Sequence, residues 1–336
     1  MNEMADIAIT QGDPAGGDPG AGFMITRLYT YACHEDEADL CRLELSALFG
    51  KTPEGGVLAL EADPRMPAVK AGRSPFLKRR IDAKWRSATP EGFASLLSGF
   101  ELAGRTFKIY YTDGDERHSY EERRALERLV GGYLAGTAEM RKPDLRLGLI
   151  RYGGEWLLGP CEDNDAAWLS HQAKPQNYST ALPTRAARAL VNIAIGPYPA
   201  GMTLLDPCCG MGTVLVEALS MGIDAEGVEI NPLSARGART NLEHFGYSGS
   251  LVAKGDMRAW SKHYDAAILD MPYNLCSVLP SAERDEMLKA LRRLADRAVV
   301  VTTEDIGASL EQAGFRMVET AKLSKGTFTR FISVVE

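Results

Sequence analysis

The stretch ILDMPYNL sets an acid, Asp270, at the end of an apolar run and follows it with Met271, Pro272 and Tyr273. An exocyclic amine on a nucleobase is a poor nucleophile, because its lone pair is delocalised into the ring. Acceptors on both of its N–H bonds would localise that pair and aim it, and one of them would later take a proton. The Asp270 carboxylate supplies one acceptor. The Met271 carbonyl supplies the other, since Pro272 holds residue 271 extended. Tyr273 offers a flat face for stacking on an extruded base. A strand stopped by an ordinary Pro-Tyr turn would read the same way, so the tetrad needs company.

That company lies upstream, in LLDPCCGMGTVLVEAL, where a strand, a glycine-containing turn and a helix follow one another. Gly210 and Gly212 carry no Cβ, so the backbone can come close to a ligand. A dinucleotide loop would show a third glycine and hold a pyrophosphate on the helix N-terminus. Here Val214 and Leu215 follow Thr213, and the loop opens with an acid, Asp206, which repels a phosphate and attracts a cation. The ammonium group of an aminoacyl sulfonium needs such a carboxylate, so the loop favours S-adenosylmethionine over NAD. Glu229 ends the next strand, where an acid takes ribose hydroxyls in α/β nucleotide sites. Asp256 ends the third strand and can accept from an adenine amine. Any one of these acids could equally cap a helix. Asp206, Glu229, Asp256 and Asp270 at four successive strand ends point instead to a ligand on that edge.

The elements that must position these residues follow from the patterning. From residue 185 onward, strands and helices alternate as in a parallel sheet covered on both faces. Strands are expected at 203–206, 225–230, 251–253, 266–270 and 298–302, with helices at 213–222, 233–246 and 281–296. A capping box is expected at Ser281. The chain ends on two strands about a Lys-Gly turn, an antiparallel hairpin at the sheet edge. Upstream the rhythm is mixed: a strand at 24–33, a helix to Phe49, a strand at 107–113, an amphipathic helix at 119–136 and a hairpin about Gly153 and Gly154. The first 22 residues, rich in Gly, Asp and Pro, read as a flexible tail without the basic start and apolar core of a signal peptide.

Composition narrows the class. The chain has 336 residues, 45% hydrophobic and 25% charged, and no apolar run long enough to span a membrane. Six scattered cysteines without a CxxC pair argue against a disulfide framework or a zinc site and fit a reducing cytoplasm. Net charge is −7, which works against a nucleic-acid partner unless a local patch makes the contact. The densest such patch is Lys70, Arg73, Lys78, Arg79, Arg80, Lys84 and Arg86, with Asp82 among them. A solvated basic loop is the competing reading.

LLDPCCGMGTVLVEAL, GVEINPLSARGARTNL, KGDM and ILDMPY resemble the motifs of class I methyltransferases acting on exocyclic amines, and among these the chain is most similar to the THUMP-containing tRNA guanine-N2 methyltransferases. QNYSTALPTRAARALVNIAI resembles the segment that leads into their catalytic domain and closes over the cofactor. LRLGLIRYGGEWLLGPCEDND resembles the last strands of a THUMP domain. The resemblance implies a Rossmann-like doubly wound α/β sheet with an antiparallel C-terminal hairpin at 185–336. Before it come a ferredoxin-like unit at 23–60, a THUMP-like RNA-binding domain at 61–165 and a linker at 166–184. It assigns Asp206, Gly210 and Gly212 to the methionine moiety, Glu229 to the ribose, Asp256 with Met257 to the adenine, and Asp270 and Tyr273 to the target base. Thr184, Cys208, Thr213 and Ile230 join the cofactor-binding set. The family has proline where this chain has Met271, so the loop is expected to lose a rigid residue. The implied activity is methyl transfer from S-adenosylmethionine to guanine N2 in tRNA by a cytoplasmic monomer without a metal. The alternatives are a DNA adenine-N6 or other amino-methyltransferase, and a protein that binds RNA with weak or no catalysis.

Overall fold

The computed structural model describes residues 25–63, 65–178, 181–272, 280–325 and 328–336. The tail expected at 1–22 and the stacking residue Tyr273 lie outside them. The N-terminal half begins with strand β1 (Ile25–Tyr31), helix α1 (Ala38–Phe49) and strands β2 (Val57–Ala62), β3 (Leu77–Ala83) and β4 (Trp85–Ser87). The one-turn helix α2 (Phe93–Leu96), strand β5 (Phe107–Thr112), helix α3 (Tyr120–Gly131) and the hairpin β6 (Leu145–Tyr152) and β7 (Glu155–Asp163) follow. The hairpin turns on Gly153 and Gly154, both at positive φ, as a tight two-residue loop demands.

These strands form one sheet in the order β2-β1-β3-β7-β6-β5, with β4 also pairing β7. Strand β3 hydrogen-bonds to β1 on one side and to β7 on the other. The boundary expected at residue 60 therefore does not divide two sheets. Backbone pairing between distant strands leaves no local mark in the sequence, and that is why the division looked natural.

The second half runs through α4 (Thr184–Ile195), β8 (Thr203–Asp206), α5 (Thr213–Ser220), β9 (Asp224–Glu229), α6 (Pro232–His244), β10 (Val252–Lys254) and β11 (Tyr264–Asp270). It closes with α7 (Ser281–Leu294), β12 (Ala295–Thr302), α8 (Gly307–Gln312), β13 (Met317–Lys325) and β14 (Phe328–Val335). The sheet order is β10-β9-β8-β11-β12-β14-β13. The first five strands are parallel, and β14 runs antiparallel between β12 and the edge strand β13, which forms the expected C-terminal hairpin. Ala266, Ala267, Ile268 and Leu269 are fully buried, the mark of a central strand covered on both faces.

Two local expectations are corrected. No capping box forms at Ser281: Pro280 takes the N-cap position, and the residue three beyond Ser281 is Arg284, which pairs with Glu304. The box sits instead at α3, where Ser119 and Glu122 exchange side-chain and backbone hydrogen bonds. The segment expected as a linker at 166–184 is a pinned strap. A 3-10 helix at Ala167–Ala173 rests against α5, and Gln176 exchanges backbone hydrogen bonds with the buried Asn241 side chain on α6.

The halves share a core. Leu40, Cys41, Leu43 and Leu45 of α1 belong to the same buried cluster as Ala186, Leu190 and Ile193 of α4. Alongside it runs a buried polar network: Glu44 accepts from Ser74 and Asn192, and Arg73 donates to Asn192 and to the Gly196 carbonyl.

Candidate active site

A cavity of about 440 Å³ opens beyond the C-terminal ends of β8, β9, β10 and β11. Asp206, Glu229, Asp256 and Asp270 all line it, so the four strand-end acids do converge. Cys208, Gly210, Thr213, Ile230, Met257, Met271 and Pro272 line it as well. Thr184 does not: it is buried at the start of α4, and the strap reaches the cavity through Tyr178, Ala181 and Leu182.

The two loop glycines have different jobs. Gly210, at φ 51, has open space where a Cβ would stand. Gly212, at φ 76, is absent from the lining, and a Cβ there would approach Leu242 to 3.1 Å and Ala238 to 3.3 Å. It serves the turn and the contact with α6, and so does not bring backbone to a ligand.

Glu229 fixes the loop it faces. One carboxylate oxygen accepts from the Gly210 N–H and the other from the Asn231 N–H, each at 2.8 Å. Each oxygen keeps a lone pair for a ribose hydroxyl. Asn231 then caps α6 by accepting from Leu233.

Asp206 is buried, and burial drives its carboxyl well above the usual carboxylate range, with Asp270 and Glu229 adding to the rise. A buried carboxyl raised in this way gains from a positive charge brought beside it, and so is a receptor for a cation. Asp270 is pushed up to about 7 by burial, against the opposing charge of Arg330. Among the described residues its buried Oδ1 has no hydrogen-bond partner, which leaves an acceptor for a group that enters the cavity. Met271 corrects the expected loss of rigidity. Its side chain is buried against the core that includes Met287, and its N–H donates to the Val301 carbonyl at 2.9 Å. Proline has no such donor, so methionine extends the β11–β12 pairing by one residue.

Asp256 departs from the simple expectation. Both of its oxygens accept from the Arg258 guanidinium, which holds its carboxyl below the ordinary value. Arg258 reaches on to Glu286 and Glu283 of α7. An adenine amine must share or displace this guanidinium. Asn231, Ser234, Glu283 and Met287 also line the cavity and were not anticipated, since only the tertiary fold brings α6 and α7 to the strand ends. Burial raises the thiols of Cys208 and Cys209 well above the ordinary value. Among the described residues no cluster of three His, Cys, Asp or Glu side chains is arranged to hold a metal ion, and no helix is long and apolar enough to cross a membrane.

The basic stretch is only partly a free surface. Arg73 lies in the junction network, Arg79 pairs with Asp163, and Arg80 pairs with Asp82 and Glu162. Lys70, Lys78, Lys84 and Arg86 are exposed, with Arg86 near Glu155. Beside them Tyr110 carries three cations over its ring, Arg146 at 4.3 Å, Lys108 at 4.6 Å and Arg79 at 5.2 Å. Spacing on alternate strand positions hid this cluster.

Residues 171–323 match the family described as UPF0020, RMKL-like methyltransferase domain. A tRNA (guanine(10)-N2)-dimethyltransferase of Pyrococcus abyssi is 29% identical over 175 residues, which cover 49% of this chain and 52% of the relative. The enzyme of the same name from Methanothermobacter thermautotrophicus is 33% identical over 124 residues, 35% of this chain and 36% of the relative. The alignments thus span about half or less of these relatives. Among solved structures, TrmN from Thermus thermophilus aligns over 94% of this chain and 99% of its own, at 18% identity and a TM-score of 0.47.

Proposed function

We propose, from the premise that residues 171–323 are an RMKL-like methyltransferase domain, that the protein methylates the exocyclic N2 amine of a guanosine in tRNA. The observation that carries this reading is the buried Asp270 Oδ1, which has no hydrogen-bond partner among the described residues, in a cavity that Met271 and buried Asp206 also line. The residues present fit S-adenosylmethionine: a buried acid for an ammonium, a rim acid for a ribose, and open space above Gly210. When bound, this cofactor supplies a methyl group on an electrophilic sulfonium.

The chain's residues do the rest. Asp206 takes the ammonium, Glu229 the ribose hydroxyls, and Asp256 the adenine amine once Arg258 yields. The Asp270 carboxylate and the Met271 carbonyl accept the two N–H bonds of the target amine, which raises its nucleophilicity and aims it. The proton lost from the amine after methyl transfer passes to Asp270 and then to solvent. Tyr273, in the same tetrad, stacks on the extruded base.

Substrate choice is supported by the names of the two relatives, so guanine 10 of tRNA is the first position to test. The N-terminal sheet is the RNA-binding part of this reading, with Lys70, Lys78, Lys84 and Arg86 as phosphate contacts and the Tyr110 cluster as a stacking site. The protein works as a cytoplasmic monomer in this account. Incubation with labelled methyl donor and, in separate reactions, total tRNA and duplex DNA, followed by mass identification of the nucleoside, tests it. N2-methylguanosine or its dimethyl form is expected. N6-methyladenosine in DNA would favour the amino-methyltransferase alternative, and label in neither would leave a binding protein.

A further inference from the structure

Lys174, on the strap between the halves, is 9% exposed, a rare setting for a lysine. Its Nζ donates to Thr213 Oγ1 at 2.8 Å, and among the described residues this is its one side-chain partner. The nearby acid, Glu217, is spent: one oxygen meets His171 Nδ1 at 2.7 Å and the other Arg188 at 2.8 Å. The lysine charge is therefore buried without a carboxylate in contact, which is costly unless an anion completes it.

The hydroxyl between them has a fixed polarity. A lysine ammonium only donates, so Thr213 Oγ1 accepts, and its own O–H must turn elsewhere. Among the described residues no protein group takes that proton, and Thr213 lines the cavity. It is also the first residue of α5, where unpaired backbone N–H groups and the positive end of the helix dipole already favour an anion.

We infer that Lys174 is a positioning residue for the carboxylate of the cofactor's methionine moiety, acting through the Thr213 hydroxyl. With Asp206 facing the ammonium, the cavity then carries two recognition points of opposite sign for one amino-acid group. The pair selects a zwitterion over a plain nucleoside or amine. This rests on S-adenosylmethionine being the ligand.

The test compares two ligands that differ only in that carboxylate, S-adenosylhomocysteine and its decarboxylated analogue, by calorimetry on the full chain. Lys174→Met should weaken S-adenosylhomocysteine binding roughly tenfold and leave the analogue within about twofold, as removal of a charge-assisted contact predicts. Lys174→Arg should retain most of the preference. Thr213→Val should lose the same preference, and adding Lys174→Met to it should remove little more. Equal losses for both ligands in Lys174→Met would assign the lysine a purely structural role and overturn the inference, as would unchanged affinity. If Lys174→Met fails to fold by circular dichroism, Thr213→Val decides: an intact carboxylate preference there overturns the inference. Wild-type protein that binds neither ligand would remove the cofactor itself, a separate failure visible before any substitution.

Discussion

The Met271 N–H bond to the Val301 carbonyl shows how a departure from a family pattern can be repaired by the residue that makes it. In the proposed reaction the Met271 carbonyl needs a fixed peptide, and here a ladder hydrogen bond and a buried side chain fix it in place of a ring. Asp270 beside it was legible from its position after an apolar run, because strand ends are where α/β sites form. The Arg258 grip on Asp256 was not legible, since nothing in a two-residue separation says that a guanidinium will fold back on its neighbour. A pH dependence belongs at this scale. Burial pushes Asp270 up to about 7, and only its ionised form can both accept from the amine and take its proton. Activity should therefore rise with pH through about 7, and kcat/KM for tRNA measured from pH 5.5 to 9 checks it. Asp270→Asn should lose at least about a hundredfold in turnover and flatten that limb, with cofactor affinity nearly intact. A variant with wild-type turnover would remove Asp270 from the chemistry.

Between elements, the decisive contacts are the ones sequence periodicity cannot carry. The parallel strands and their helices followed from alternation and from glycine stops, because each is a local pattern. The strap at 166–184 looked like a linker because its anchors lie 39 to 65 residues from their partners in sequence, brought near only by the fold. The α1–α4 junction is similar, and it makes a stability prediction. Glu44 is fully buried, accepts from Ser74 and Asn192, and faces Arg73 and Arg188. Burial raises its carboxyl from 4.5 to about 7, so the folded state prefers the neutral acid. Its contribution is whole below the unfolded value and is lost as pH rises through about 7. That window is worth on the order of 3 kcal/mol. Glu44→Gln does not titrate, so its stability relative to wild type should improve by an amount of that order between pH 5 and pH 8. Urea unfolding at both values measures it. A difference independent of pH would mean that Arg73 and Arg188 keep Glu44 ionised throughout.

For the whole molecule, the shared core of α1 and α4 ties the N-terminal sheet to the half that holds the cavity, so the sheet cannot swing without opening that core. A surface on the sheet then stands at a set distance from the cavity, which suits a substrate that must be gripped in one place and modified in another. With a net charge of −7, the tRNA binding proposed above has to come from local cations free of protein carboxylates. Density of basic residues along the chain was a poor guide to these, because Arg79 and Arg80 are neutralised across the sheet by Asp163, Glu162 and Asp82. The exposed lysines are the better test. Replacing Lys70, Lys78 and Lys84 with Gln should lower tRNA affinity and reduce the log-log salt slope by about two to three units, close to one per released counterion. Cofactor affinity should not move, because none of the three lines the cavity. Arg80→Gln should behave in the opposite way, with a cost in folding stability and little change in slope, because its charge already serves Asp82 and Glu162. Binding isotherms across a salt series for the three proteins separate these outcomes. Parallel lines for wild type and the lysine variant would move the RNA surface elsewhere, with Lys108 over the Tyr110 ring next in line.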